Sequence, residues 1–240
     1  MTTVSTQELL TKIDHDTQAG ELASCHTQLQ QLYDDGHREA EVLWRLARSH
    51  YLTSLELSEK AAQQPHVEVA LTYTKAAVDT EPDNWAAHKW HGIVLGGTGK
   101  FRSTKENVAQ SFVIRDHLKK AIELNPNDPT ALFTMGVWCW KVLQITWLER
   151  QAATLLFGAP PTSTYEECEN YFLRSQEVDP KQTHNMLALG DLYYQQKKWE
   201  EAKKWYAATA NCTPLTQKAT REIEEAQRKL GKCESKLATE

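Results

Sequence analysis

The chain has 240 residues, a formal net charge of −5 at pH 7, and 40% hydrophobic and 9% aromatic residues. That charge is too mild to decide a partner, and no apolar stretch approaches the roughly 20 residues needed to cross a bilayer. Five cysteines (Cys25, Cys139, Cys168, Cys212 and Cys233) show no C-x-x-C spacing, and an odd number cannot all pair within one chain, which points to a reduced, cytosolic compartment.

The first residues lack a basic region and an apolar core, so no signal peptide is expected. Residues 5–36 predict a helix pair, with the break between Asp14 and Glu21 and a C-cap at Gly36. A long helix follows over about 38–60, carrying Val42, Leu43, Trp44, Leu46 and Tyr51. Its partner holds Ala70, Tyr73 and Ala77 and stops at Pro82. The next pair opens at Asn84 or Trp85 and includes His88, Gly92 and Leu95. Gly96-Gly97-Thr98-Gly99-Lys100 predicts a turn by composition, and a helix over about 103–124 follows.

From Asp128 to about Gln144 another helix is expected, with Leu132, Met135, Gly136 and Cys139. An insert from Trp147 to Pro161 predicts a short apolar helix stopped by Gly158. A capping box of Ser163 or Thr164 with Glu166 or Glu167 starts the next helix. Residues 181–214 form a regular pair. A last helix over about 215–231, closed by Gly231, predicts a polar-faced cap.

One register ties these pairs together. Pro82, Pro126 and Pro180 are each followed ten residues later by a glycine: Gly92, Gly136 and Gly190. A small residue (Ala77, Ala121 or Ser175) stands five before each proline. Pro214 lies 34 after Pro180, with Ala202 and Tyr206 between them. This is the tetratricopeptide (TPR) pattern. Glycine inside a helix costs about 1 kcal/mol relative to alanine. Three glycines in register therefore mark close approach between paired helices, with Ala77, Ala121 and Ala202 as the expected partners. The fold class is all-α: a TPR-like helical-hairpin solenoid with insertions in two repeats and a C-terminal capping helix. Its divisions are a helix pair at 1–36, repeats at about 37–82, 83–126, 127–180 and 181–214, and the cap and tail at 215–240. Such a chain holds a partner and is not expected to be an enzyme.

Charge alternates along the sequence: −8 over 1–84, +5 over 85–120, −5 over 121–180 and +3 over 181–240. The basic run Lys100, Arg102, Lys105, Arg115, Lys119 and Lys120 is the candidate partner-binding set, since a basic stripe attracts acidic surfaces. A solvated face is the plain alternative.

Other motifs point to no chemistry. Gly-Gly-Thr-Gly-Lys is not a phosphate loop, because Val94 stands where its first glycine belongs and Phe101 where its Ser or Thr belongs. His88 and His91 could share a metal, but no third ligand is close in sequence, and polar lining of a concave face is the better reading. No cofactor is expected, and no Ser or Cys stands in a nucleophile-elbow context. A carboxylate clamp needs a lysine with an asparagine four later, and Lys89 is followed by Ile93. Trp138, Trp140, Trp147, Leu155, Leu156 and Phe157 read as the core of an enlarged third repeat, with a ligand groove or lipid contact as the alternative.

Several segments carry a resemblance: Gly136-Val137-Trp138-Cys139-Trp140, then Trp147 and Arg150, Leu156-Phe157, Pro160-Pro161-x-Ser163-Thr164-Tyr165-Glu166, Tyr171-Phe172 and Val178-Asp179-Pro180. With His88-x-Trp90-His91-Gly92-Ile93, they resemble the regulator of microtubule dynamics family over about residues 75–215. The resemblance implies a TPR-like microtubule-associated protein of the cytoplasm and cytoskeleton. It implies a role at spindle microtubules and spindle poles in chromosome segregation. Tubulin is the implied partner, other spindle proteins are possible ones, and nucleic acid is not. Some relatives are membrane-anchored and bind phospholipid in the TPR domain, so lipid is a second candidate ligand, and a general peptide adaptor a third.

Overall fold

The structure is a computed structural model that describes residues 5–214 and 216–238; the side chains of Ala152, Leu156 and Phe157 also lie outside the described residues. Every regular element among the described residues is helical. The chain forms two compact units, one of residues 1–125 and 151–160, the other of 126–150 and 161–240.

The first unit begins with α1 (Thr6–Ala19) and α2 (Leu22–Asp34). Ser5 and Glu8 close a capping box at the start of α1, and Gly20, at φ +94°, ends it. Asp14 is thus inside the helix, and the break is only Gly20-Glu21. After α2, Gly36 takes φ +99° while the His37 N–H donates to the Leu32 carbonyl, satisfying an orphan group of the last turn. Leu10, Ile13, Cys25, Leu29, Leu32, Val42 and Leu46 bury one core between these helices and α3 (Ala40–Glu56).

α3 pairs with α4 (Lys60–Thr80), and α4 packs on α5 (Trp85–Thr98). Ala77, fully buried, packs among Ala40, Leu43 and Trp44 of α3 and Ala86 and Ala87 of α5. Asn84 caps α5, its Oδ1 accepting from the Ala87 N–H at 3.0 Å. α5 then runs through Gly96 and Gly97, where composition predicts a turn. A Cβ on Gly97 would collide with the Tyr51 ring, so the helix is kept there by packing on α3. A single 3-10 turn over Gly99–Phe101 leads to α6 (Thr104–Leu124), which packs on α5. Ser103 and Glu106 form the capping box of α6. Ser103→Ala is expected to cost about 1 kcal/mol, read as a lowered denaturation midpoint with an unchanged slope.

In the second unit, α7 (Pro129–Leu143) is capped by Asp128, whose carboxylate accepts from the Ala131 N–H at 2.6 Å. α7 pairs with α9 (Tyr165–Val178), and α10 (Thr183–Gln195) pairs with α11 (Trp199–Ala210). Thr164 caps α9 by accepting from the Glu167 N–H at 3.0 Å. The Glu167 carboxylate accepts from the Ser163 hydroxyl instead of returning to the cap backbone. Ser175, at the small position before Pro180, donates to the Pro129 carbonyl at 2.8 Å and joins α9 to α7. The insert forms α8 (Trp147–Phe157), whose residues 147–150 belong to this unit and whose remainder, ended by Gly158 at φ +79°, belongs to the first.

The last helix, α12 (Gln217–Leu237), does not stop at Gly231. Buried Cys233 donates to the Trp199 carbonyl at 3.0 Å, and Lys203 of α11 reaches Glu234 at 3.7 Å, so α11 holds the final turns.

The glycine register has one geometry. Gly92, Gly136 and Gly190 each lie eight residues after the helix N-cap (Asn84, Asp128 and Gln182). A Cβ there would meet Leu118 at 3.0 Å, Phe172 at 2.6 Å and Tyr206 at 2.5 Å, respectively. The space is therefore filled chiefly by a large side chain eight before the next proline (126, 180 or 214), joined at Gly92 by the Ile114 carbonyl oxygen at 3.6 Å, and not by the alanines. Ala121 and Ala202 are fully buried on their own helices. In the α3–α4 pair the equivalent positions are Ala47 and Thr74, a small residue and a slim one in place of a gap and a knob.

Candidate binding surface of the first unit

All six basic candidates fall in the first unit: four on α6, Lys100 on the 3-10 turn before it, and Arg102 between the two. On α6, Lys105, Arg115, Lys119 and Lys120 share an arc of about 140° at helical spacing. Their states differ. Lys105 and Lys119 are exposed. Arg115 donates to the Asp116 carboxylate at 2.9 Å, and Lys120 reaches Asp83 at 3.2 Å. Lys100 bonds to the Gln63 side chain, and Arg102 faces Thr98 at 3.1 Å. Half-exposed ion pairs of this kind are weak, so an anionic partner can exchange with Asp116 or Asp83 at small cost. The surface is thus two open lysines with four cations that are locally engaged.

Behind this face lies a feature that sequence reading placed elsewhere. His88 and His91 are 9% exposed and do not line an open face. His88 Nδ1 faces His117 Nδ1 of α6 at 2.9 Å, while His91 Nδ1 faces Thr74 Oγ1 of α4 at 2.9 Å. Among the described residues, no group of three or more His, Cys, Asp or Glu side chains could hold a metal ion. His117 is 29 residues from His88, which is why local spacing did not reveal it.

The apolar region of the insert divides in two. Trp138 is core at 6% exposure. Trp147, Leu148 and Leu155 on α8 are 73%, 71% and 86% exposed, so for them the core reading fails. Leu148 and Leu155, seven apart, share one helix face. Leu156 and Phe157 belong to the same sequence reading, but their side chains are outside the described residues. Thr164, the cap of α9, and Glu166, Glu167, Asn170, Tyr171 and Arg174 on it border a shallow, open depression of about 300 Å³. No helix among the described residues is long and apolar enough to cross a membrane.

The model of regulator of microtubule dynamics protein 1-3 matches residues 9–234. Regulator of microtubule dynamics protein 1 of Pongo abelii is 37% identical over 193 residues, covering 80% of this chain and 61% of that protein. The Mus musculus protein of the same name is 36% identical over 205 residues, covering 85% and 67%. Regulator of microtubule dynamics protein 2 of Homo sapiens is 28% identical, covering 95% and 55%. The chain spans about three fifths of the length of the curated relatives it matches. Among solved structures, a thermophilic TPR protein of Thermus thermophilus superposes with a TM-score of 0.66 at 16% identity, covering 93% of this chain and 99% of its own. Pseudomonas aeruginosa pilF gives 0.58 at 13%, covering 95% and 88%. At such identities the likeness speaks for the fold alone, and it is the TPR-like fold that the proline–glycine register implies. By the extent of the family match and the identity to its curated members, this chain belongs to the regulator of microtubule dynamics protein 1-3 family.

Proposed function

We propose that the chain binds microtubules directly and modulates their dynamics, with the basic face of α6 holding the acidic, disordered tails of tubulin. The observation that carries this reading is the basic arc of α6, with Lys105 and Lys119 open to solvent, in a chain of this family. The protein acts by holding a partner rather than by catalysis. Its place is the cytoplasm and cytoskeleton, at spindle microtubules and poles, where it serves chromosome segregation with other spindle proteins. The basic stretch 181–240 adds a second, weaker attraction.

The test is cosedimentation with purified microtubules of a variant carrying Lys105→Glu, Arg115→Glu, Lys119→Glu and Lys120→Glu. Binding is expected to fall at least tenfold, with a wild-type affinity that weakens as salt shortens the screening length to about 8 Å. Unchanged cosedimentation would reject this face as the contact.

The exposed apolar residues of α8 favour a second reading, phospholipid binding or transfer. Mass spectrometry of gently purified protein is expected to show co-purified phospholipid under that reading, and a lipid-free spectrum removes it.

A further inference from the structure

Six of the nine histidines gather in two clusters, both in the first unit. The first joins α2, α3 and α4. The His26 and His50 rings meet edge-on at 4.7 Å, His50 lies 5.8 Å from His66, and it stacks on Tyr73 at 5.8 Å. His26 Nδ1 faces the Ser49 hydroxyl at 3.0 Å. His50 Nδ1 is buried without a hydrogen-bond partner. The groups that act on His26 and His50 are histidines of the same cluster, and no carboxylate is among them.

The second cluster joins α4, α5 and α6, and its proton count follows from its partners. His88 Nε2 faces the Pro82 carbonyl at 2.8 Å, and a carbonyl only accepts. That nitrogen therefore carries the proton of the neutral ring, His88 Nδ1 is bare, and His117 Nδ1–H donates to it. The Thr74 hydroxyl donates to the Leu71 carbonyl at 3.0 Å, so it accepts from His91 Nδ1–H. The His91 and His117 rings are 4.5 Å apart. One added proton can be shared along the His88–His117 bond. A second sets two N–H groups against each other at 2.9 Å with no acceptor between. The charges facing this cluster are mixed: Asp79 and Lys75 of α4 act on His91, and Asp116 of α6 acts on His117.

We propose that these two clusters make the first unit a proton-sensitive body, whose helices α2 to α6 are held at neutral pH and loosen on acidification. Burial favours the neutral rings: it lowers His26 and His117, and holds His50 and His91 down at about 4 against an ordinary 6.5. The unfolded chain then binds more protons, so stability is complete above 6.5 and is lost as pH falls toward 4. Between pH 7 and 5 each ring held at about 4 lowers the folding constant about 25-fold.

Hydrogen exchange of the full chain at pH 7 and pH 5, corrected for intrinsic rates, tests this. Protection of the α2–α6 cores is expected to drop at least 25-fold. A His50→Phe, His91→Gln variant should cut that drop to under fivefold. His184→Gln, which removes a half-buried histidine of the second unit, should leave it unchanged. Wild-type protection constant within threefold, or a double variant that responds like wild type, overturns the proposal. If the double variant does not fold, ring-carbon NMR of the wild type decides: His50 and His91 still neutral at pH 5.5 support it, and either one charged overturns it.

Discussion

Alanine at Gly136 or Gly190 is expected to destabilise the second unit by about 2 kcal/mol, although alanine is the better helix former by about 1 kcal/mol. The new methyl would sit 2.6 Å from Phe172 or 2.5 Å from Tyr206. Neither ring can retreat. Both are 1% exposed, and the Tyr206 hydroxyl donates to the Asp191 carboxylate at 2.8 Å. Asp191 is in turn gripped through both oxygens by Lys229 of α12 at 2.7 Å. A shift of Tyr206 would thus pull on three helices, and overpacking of this kind costs about 1–3 kcal/mol. Gly92 faces Cγ and Cδ2 of buried Leu118 at 3.0 Å, a smaller overlap than at either ring, and its replacement should cost less than at Gly136 or Gly190. Gly231 is helical with nothing within 4 Å, so Gly231→Ala should stabilise by about 0.5–1 kcal/mol. Chemical denaturation of the four variants checks the order, and a stabilised Gly190→Ala would contradict the packing described.

The second large effect is expected at Arg45, which is 5% exposed and joins three helices. Its Nε and Nη2 donate to the Asp14 carboxylate of α1 at 3.0 and 2.7 Å, and its Nη1 donates to the Glu41 carbonyl at 2.8 Å. The Glu41 carboxylate pairs with the same guanidinium and accepts from Asn84 Nδ2 at 2.8 Å. That contact turns the Asn84 Oδ1 toward the α5 backbone it caps. Arg45→Ala leaves Asp14 to Arg48 alone and takes from the Glu41 carboxylate its cation, while Asn84 keeps its bonds to Glu41 and, at 3.0 Å, to Glu81. Breaking a buried pair from one side costs about 3–5 kcal/mol, and the remaining Arg48 contact argues for the lower end. Burial alone would raise the Asp14 carboxyl, but the two guanidiniums outweigh it and hold it below the ordinary range. Its share of stability is present above about pH 4 and is lost as pH falls further. Lys75→Ala, which breaks an exposed pair with Asp79, should change stability by less than about 0.5 kcal/mol. Similar midpoints for the two variants would refute the network's role.

Much of this was legible in the sequence because it depends on local chemistry. Pro82, Pro126 and Pro180 each follow the last turn of a helix, while Pro65 is carried inside α4, and Asn84 and Asp128, two residues after the first two of these stops, cap the next helix. That repeating unit gave the helix pairs and the insert with its stop at Gly158. What escaped reading depends on distant partners. Gly96 and Gly97 look like a turn until Tyr51, some 45 residues earlier, is placed against the helix. Gly231 looks like a stop until Trp199 and Lys203 hold the turns beyond it. The knobs on the register glycines were visible as Leu118, Phe172 and Tyr206 at one spacing from the closing proline, a second period that the small residues concealed. The binding face was legible only as a count of cations. Which of them are open and which are engaged depends on Gln63, Thr98, Asp116 and Asp83, and of these only the neighbour Asp116 is apparent from local spacing.

The central functional claim is that an acidic tail occupies the basic face of α6. Binding of the wild-type chain to intact microtubules, compared with microtubules whose tubulin tails have been removed by protease, measures this most directly. At least tenfold weaker binding to the tailless polymer, with most of the salt dependence gone, is the result expected. Equal affinity for both, with the same response to salt, would contradict the account.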